Sequence, residues 1–333
     1  MPSTQSSLYP LLFEPLFRDY LWGGQRLHTN LGKRTGSGVW AESWEIVDHQ
    51  ANQSVVANGP FQGRKLQELM GEFQGRLVGQ RIWEKINAPA VPARLRGRFP
   101  LLIKFLDAAK DLSVQVHPDD GQAARLAPPD LGKTEAWYVI GCEPGSKIYA
   151  GLTAGTNREK FQNAIACGET EKLLNSFRPK VGDCVFIPAG TQHAIGAGLL
   201  ILEVQQASDT TFRVYDWNRV DAMGKPRDLH IHQALDVTNF SQGPIFPQPT
   251  KMDADGGRHL VSCSYFSITE HSGERNMKLG QDDRFEIVVV IDGTPEIGDL
   301  NLRVGQTVLL PPLVGGYDSK LHKRDKILQI WIP

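Results

Sequence analysis

Short apolar runs separated by turn residues fill most of the chain, and the period of their apolar positions marks the elements. Residues 39–47 alternate strictly. Val39, Ala41, Ser43, Glu45 and Val47 fall on one face of a strand, and Trp40, Glu42, Trp44 and Ile46 on the other. The segment 8–17, with Pro10 and Pro15, reads as extended, and 54–57 as a short strand. Apolar spacing predicts helical segments near 63–86. A strand at 101–105 leads, past a break at 107–111, into a second strand in which Gln115 and His117 alternate with Val114 and Val116. Strands follow at 136–140, 147–150, 184–187 and 199–204, with Gly, Pro and Asp turns between them. A helical patch at 156–175 interrupts them, where Thr156 and Glu159 have the spacing of a capping box.

After Phe240, Pro244, Pro247 and Pro249 read as a linker, and β patterning resumes at 261–269, 285–291, 302–304, 306–310 and 327–332. Residues 304–312 (Val-Gly-Gln-Thr-Val-Leu-Leu-Pro-Pro) echo 181–189 (Val-Gly-Asp-Cys-Val-Phe-Ile-Pro-Ala). These patterns predict a mainly β protein of two jelly-roll β-sandwich domains with a small helical insertion. The first domain would span 1–240 and the second 241–333. The second block has Gly315 and Gly316 where the first has His193, so its expected role is structural.

A net charge of -1 supplies no field to recruit nucleic acid or an anionic membrane. No apolar run is long enough for a membrane span, and residues 1–15 carry no basic-then-apolar leader pattern. Cys142, Cys167, Cys184 and Cys263 form no C-x-x-C pair and read as reduced thiols. Together these features predict a cytoplasmic protein, and they leave its state, monomer or homodimer, open.

Gln115 and His117 are a polar pair on one face of an apolar strand, and buried polar groups need partners. Glu135, in Gly132-Lys133-Thr134-Glu135, and His193, in Gly190-Thr191-Gln192-His193-Ala194, are the candidates. One amide oxygen, two imidazoles and one carboxylate suit a divalent metal, zinc by ligand type, in a Lewis-acid role; manganese, iron and cobalt would accept the same donors. The competing reading makes both histidines hydrogen-bonded core residues and pairs Glu135 with Lys133. Lys104, Lys133 and Arg213 stand in apolar strands, where a cation must find a partner, and as a set around a metal they point to an anionic substrate.

Several runs resemble the type I phosphomannose isomerases, most closely the short bacterial form. They are Ala41-Glu42-Ser43-Trp44-Glu45-Ile46, Lys104, Leu112-Ser113-Val114-Gln115-Val116-His117-Pro118, the Gly132 and Gly190 motifs above, and Ser208-Asp209-Thr210-Thr211-Phe212-Arg213-Val214-Tyr215-Asp216. Val47, where many members have Ser, and Trp217, where Tyr or Phe is common, depart from the pattern. The resemblance implies cupin-like domains and a zinc-dependent aldose–ketose isomerase that interconverts mannose 6-phosphate and fructose 6-phosphate through a cis-enediol. It implies Gln115, His117, Glu135 and His193 as the ligands of one Zn2+, Arg213 as an active-site arginine, and Ser43, Lys104, Lys133 and Arg213 around the phosphorylated hexose. Lys133 and Glu45 are then the candidates for the acid/base, and Lys104 for the phosphate. Other readings keep the fold: an iron-type oxidoreductase, a sugar-phosphate sensor without chemistry, or an isomerase of glucose 6-phosphate or an unphosphorylated sugar. The glutamine ligand and the lysines argue against the first, and intact Arg213 and Lys133 against the second.

Overall fold

The computed structural model describes residues 7–36, 38–220, 223–281 and 283–333, and these form two packed β-sandwiches. The first sandwich has a six-stranded antiparallel sheet in the order Cys184–Ile187, Glu135–Cys142, Leu199–Gln206, Leu101–Ala108, Glu42–Ile46 and Leu16–Arg18. Facing it is a five-stranded sheet in the order Leu174–Phe177, Ile148–Leu152, His193–Ile195, Val114–Val116 and Phe212–Tyr215. The second sandwich is built on an eight-stranded sheet centred on Lys326–Trp331 and Glu286–Asp292, with a four-stranded sheet, Arg275–Leu279 to Leu300–Asn301, against it.

The six-stranded sheet is covered on both faces. On one, Leu106, Trp137, Val139, Leu199 and Ile201 meet Ile148, Ala150 and Ile195 of the five-stranded sheet. On the other, Ile103, Phe105, Tyr138, Leu200, Leu202 and Val204 meet Phe266, Ile268, Phe285, Ile287 and Leu328 of the second sandwich. This double burial is why 199–204 reads as a nearly continuous apolar run rather than an alternating one. Each such side chain contributes roughly 1.5–3 kcal/mol, so truncating Leu202 to alanine should cost about 2–5 kcal/mol.

Helices form where the spacing puts them. Leu66–Phe73 buries Leu66, Leu69, Met70 and Phe73 on one stripe and ends where Gln74 turns to φ 52°. Arg158–Ala166 is capped one residue later than the expected box: the Asn157 side chain, not Thr156, accepts from the Lys160 N–H at 2.9 Å.

Two boundary expectations need correction. Leu11–Glu14 and Val55–Val56 extend the eight-stranded sheet, with Leu11 opposite Leu309 and Leu12 opposite Val308, so a division at 240 cuts through a sheet. The proline-rich stretch after 240 is a packed strap: the Ile245 N–H donates to Ala150 O at 3.0 Å and its side chain is buried in the first core. All four cysteines are free thiols. No helix among the described residues is long and apolar enough to cross a membrane.

Candidate active site

Two register rows carry the polar groups. Across the six-stranded sheet, Trp44 lies opposite Lys104, Lys104 opposite Glu203, and Glu203 opposite Trp137, while Glu135 lies opposite Gln205. Across the facing sheet, His193 lies opposite Gln115, and Gln115 opposite Arg213. Each sheet therefore presents a polar line to the space between them, and the lines meet at one end of the sandwich. The turns that deliver them depend on glycine. A Cβ on Gly132 would sit 2.6 Å from Asp120 N, so only glycine lets Lys133 and Glu135 pass behind His117-Pro118. Gly190 takes φ 84° and donates its N–H to His117 O at 2.8 Å.

His117, Glu135 and His193 are buried, with donor atoms all within 4.8 Å of one another, the only such group of His, Cys, Asp or Glu among the described residues. His117 Nδ1 faces Thr210 O and His193 Nδ1 faces Thr191 O, each at 2.9 Å. A carbonyl accepts only, so both rings carry their proton on Nδ1 and turn an Nε2 lone pair inward. Those nitrogens lie 3.6 Å and 3.4 Å from the Glu135 carboxylate, and the Gln115 amide is 3.3 Å from His193 Nε2. Glu135 Oε1 is buried with no hydrogen-bond partner. Inward lone pairs around an orphaned carboxylate oxygen fit a divalent cation. Burial, reinforced by the Lys133 charge, holds His193 down to about 3 and His117 well below its usual range, which keeps both in the neutral ligand form. Burial pushes the Glu135 carboxyl up, and Lys133 opposes this.

Lys133 does pair with Glu135, as the competing reading required, but its ammonium also lies 3.1 Å from His117 Nε2 and 3.8 Å from Glu203 Oε1. It is part of the cluster rather than a reason against it. A cavity of about 330 Å³ opens beside these groups, lined among others by Trp22, Glu42, Lys104, Gln115, Lys133, Glu203, Asp209, Arg213 and Arg227.

Of the expected site residues, the structure brings together Gln115, His117, Glu135, His193, Lys104, Lys133 and Arg213, and leaves out Ser43 and Glu45. Those two point to the opposite face of Glu42–Ile46. There Ser43 Oγ donates to Glu45 Oε1 at 2.5 Å, and Lys33 Nζ donates to Glu45 Oε2 at 2.6 Å and to Gly305 O at 2.5 Å. The period of two divided Glu42 and Trp44 from Ser43 and Glu45 correctly, but a bulge between Trp44 and Ile46 turns Ile46 to the far face and Val47 to the side of Trp44, and the cavity face is that of Glu42.

Lys104 lines the cavity but is already paired. It is buried, 3.5 Å from Glu203 and 3.9 Å from Glu42, with its ammonium 4.7 Å from the Trp44 ring centroid. Two carboxylates already balance its charge and, against the effect of burial, hold its pKa above the usual lysine range. The cations with capacity for an anion are at the rim. Arg213 donates to Asp228 O at 2.9 Å and to Ser113 Oγ at 3.3 Å, while Arg227 and Arg219 share the single carboxylate of Asp216.

Glu203, Glu42, Asp209 and Arg227 were missed from the sequence. Glu203 had a readable signal: it is the only charge in the buried strand Leu199–Gln206, and Lys104 is the only cation in Leu101–Ala108, so each calls for an opposite partner.

Residues 11–135 match the family model for the type I phosphomannose isomerase catalytic domain. Mannose-6-phosphate isomerase ManA of Bacillus subtilis is 40% identical over 294 residues, covering 85% of this chain and 86% of ManA. The Streptococcus mutans mannose-6-phosphate isomerase is 37% identical over 308 residues, 91% of this chain and 92% of that protein. The crystal structure of the Bacillus subtilis mannose 6-phosphate isomerase superposes with a TM-score of 0.83 at 32% identity, over 97% of this chain and 99% of that one. With the fold, the donor cluster and these relatives in agreement, the chain belongs to the type I phosphomannose isomerases.

Proposed function

We propose that this protein interconverts mannose 6-phosphate and fructose 6-phosphate by moving a proton between C1 and C2 through a cis-enediol. The observation that carries the reading is the meeting of the His193–Gln115–Arg213 row with Glu135 and Lys133 around one cavity. Gln115, His117, Glu135 and His193 would hold one zinc ion, which supplies Lewis-acid stabilisation of negative charge on the sugar's C1 and C2 oxygens. Lys133 is the acid/base of this proposal, supported by the pairing of the other candidate, Glu45, with Lys33 on the far face. The Lys133 Nζ lies between the donor cluster and Glu203, where it can give or take a proton at the reacting carbons. Glu203, ionised between two ammonium groups and oriented by Trp137 Nε1 at 3.1 Å, keeps that region electrically balanced.

The phosphate would sit at the rim on Arg213 and Arg227, because Lys104 is already neutralised by Glu42 and Glu203. Recognition there also favours a phosphorylated over a free hexose. The test is turnover of mannose 6-phosphate beside that of mannose. The proposal expects fructose 6-phosphate at a kcat/KM at least about 100-fold above that for mannose, since a phosphate held by charge-assisted bonds is worth several kcal/mol. Equal turnover of the two sugars would remove the phosphate site, and none of either would remove the isomerase. Running the reaction in D2O tests the enediol: deuterium at C1 of the product supports it, and transfer with no solvent label opposes it.

A further inference from the structure

Asp130 lies outside the cavity lining, in the Pro128-Pro129-Asp130 loop, and is only 4% exposed. Its Oδ1 accepts from His49 Nε2 at 3.0 Å and from the Leu131 N–H at 2.9 Å. Its Oδ2 accepts from Thr210 Oγ1 at 2.7 Å and Ser208 Oγ at 3.2 Å. Burial opposes the charge, but the bonds from His49 and Thr210 outweigh it and hold the carboxyl below its usual range. Ser208 and Thr210 belong to the link between Leu199–Gln206 of one sheet and Phe212–Tyr215 of the other. This link does two things for the site. Thr210 O accepts the Nδ1 proton of His117, and its neighbours Asp209 and Thr211 line the cavity. No strand pairing holds it, so its position depends on side-chain bonds such as those to Asp130.

We propose that Asp130 is a positioning residue: through Thr210 it fixes the tautomer and ring orientation of His117, and with them the affinity and geometry of the metal site. The inference rests on the reading of His117 as a metal ligand. It differs from that reading in assigning part of the metal affinity to a residue that touches neither metal nor substrate. The chain His49–Asp130–Thr210–His117 places it two side chains away, and outer partners of ligating histidines change metal affinity by roughly 10–100-fold.

The experiment uses the full chain with zinc as the probe, titrated against a chromophoric chelator. Its variants are Thr210→Val, Asp130→Ala and the pair together. Asp325→Asn is the control, a buried carboxylate that accepts from Thr294 N and His322 N in the second sandwich. The expected result is a zinc dissociation constant raised on the order of 10-fold in each single variant. The double variant should be little weaker than Asp130→Ala, because both act through one link. The control should lose thermal stability without change in zinc affinity. Cobalt substitution gives a second readout, and the visible ligand-field spectrum should change in the two site variants only. Folded Thr210→Val and Asp130→Ala proteins that bind zinc as the wild type does overturn the positioning role and leave the metal site standing. A wild-type protein that binds no metal overturns both.

Discussion

Glu45→Gln separates a structural carboxylate from a catalytic one. The substitution leaves the Lys33 ammonium, 7% exposed, with Gly305 O at 2.5 Å and a neutral amide in place of the carboxylate at 2.6 Å. At an effective dielectric of about 20 the gross attraction at that distance is roughly 6 kcal/mol, and orphaning one member of a buried pair costs a net of about 3–5 kcal/mol. For a chain of 333 residues the midpoint of thermal unfolding should fall by roughly 4–7 °C. The deficit should depend on pH. Burial already lowers the Lys33 pKa against the pull of Glu45, and removing Glu45 lowers it further. Between that folded value and about 10.4, the unfolded state binds more protons than the native state. Stability then rises with pH, and the variant regains ground on the wild type as pH climbs through that window. Lys33→Met with Glu45→Met should recover much of the loss, because an apolar pair carries no unpaired charge. Calorimetry at several pH values and kcat per folded protein are the assays, and kcat should stay within about twofold. A Glu45→Gln protein with an unchanged midpoint and a kcat lower by about 100-fold or more would instead place Glu45 in the catalytic machinery.

Lys133→Met should lower kcat by roughly 10²–10⁴ while one zinc per chain is retained, checked by metal analysis beside steady-state kinetics. Arg227→Gln should raise KM for mannose 6-phosphate by roughly 10–150-fold with kcat moved much less, the size of one charge-assisted bond. An effect on kcat alone would place Arg227 elsewhere in the cycle. Gly132→Ala should give a folded protein with weakened zinc binding, since the new Cβ, 2.6 Å from Asp120 N and 2.7 Å from Asp119 C, must displace backbone next to His117-Pro118.

The parts of this protein that were legible in the sequence are those set by local period. Alternation put Gln115 and His117 on one face and divided Glu42 from Ser43 correctly, and helical spacing found Leu66–Phe73. What period cannot say is which face meets the cavity. That depends on a partner sheet distant in sequence, and Ser43 and Glu45 were placed in the pocket when Lys33 and Gly305 were waiting behind them. The pairing of Leu11 with Leu309 was hidden for the same reason, as two short apolar strands carry no mark of each other across the chain. Lys104 was legible as a cation in an apolar strand, but Glu203 was missed, and the pairing of the two needed the register.

Sugar-phosphate isomerisation should require a metal held by Gln115, His117, Glu135 and His193. The most direct test is to titrate metal-free protein with zinc while following bound zinc and fructose 6-phosphate formation from mannose 6-phosphate in the same samples. Activity should be negligible at the start and rise linearly, saturating at one zinc per chain. His117→Ala protein should show neither binding nor rise. Full activity in metal-free protein, or in His117→Ala protein, would contradict it.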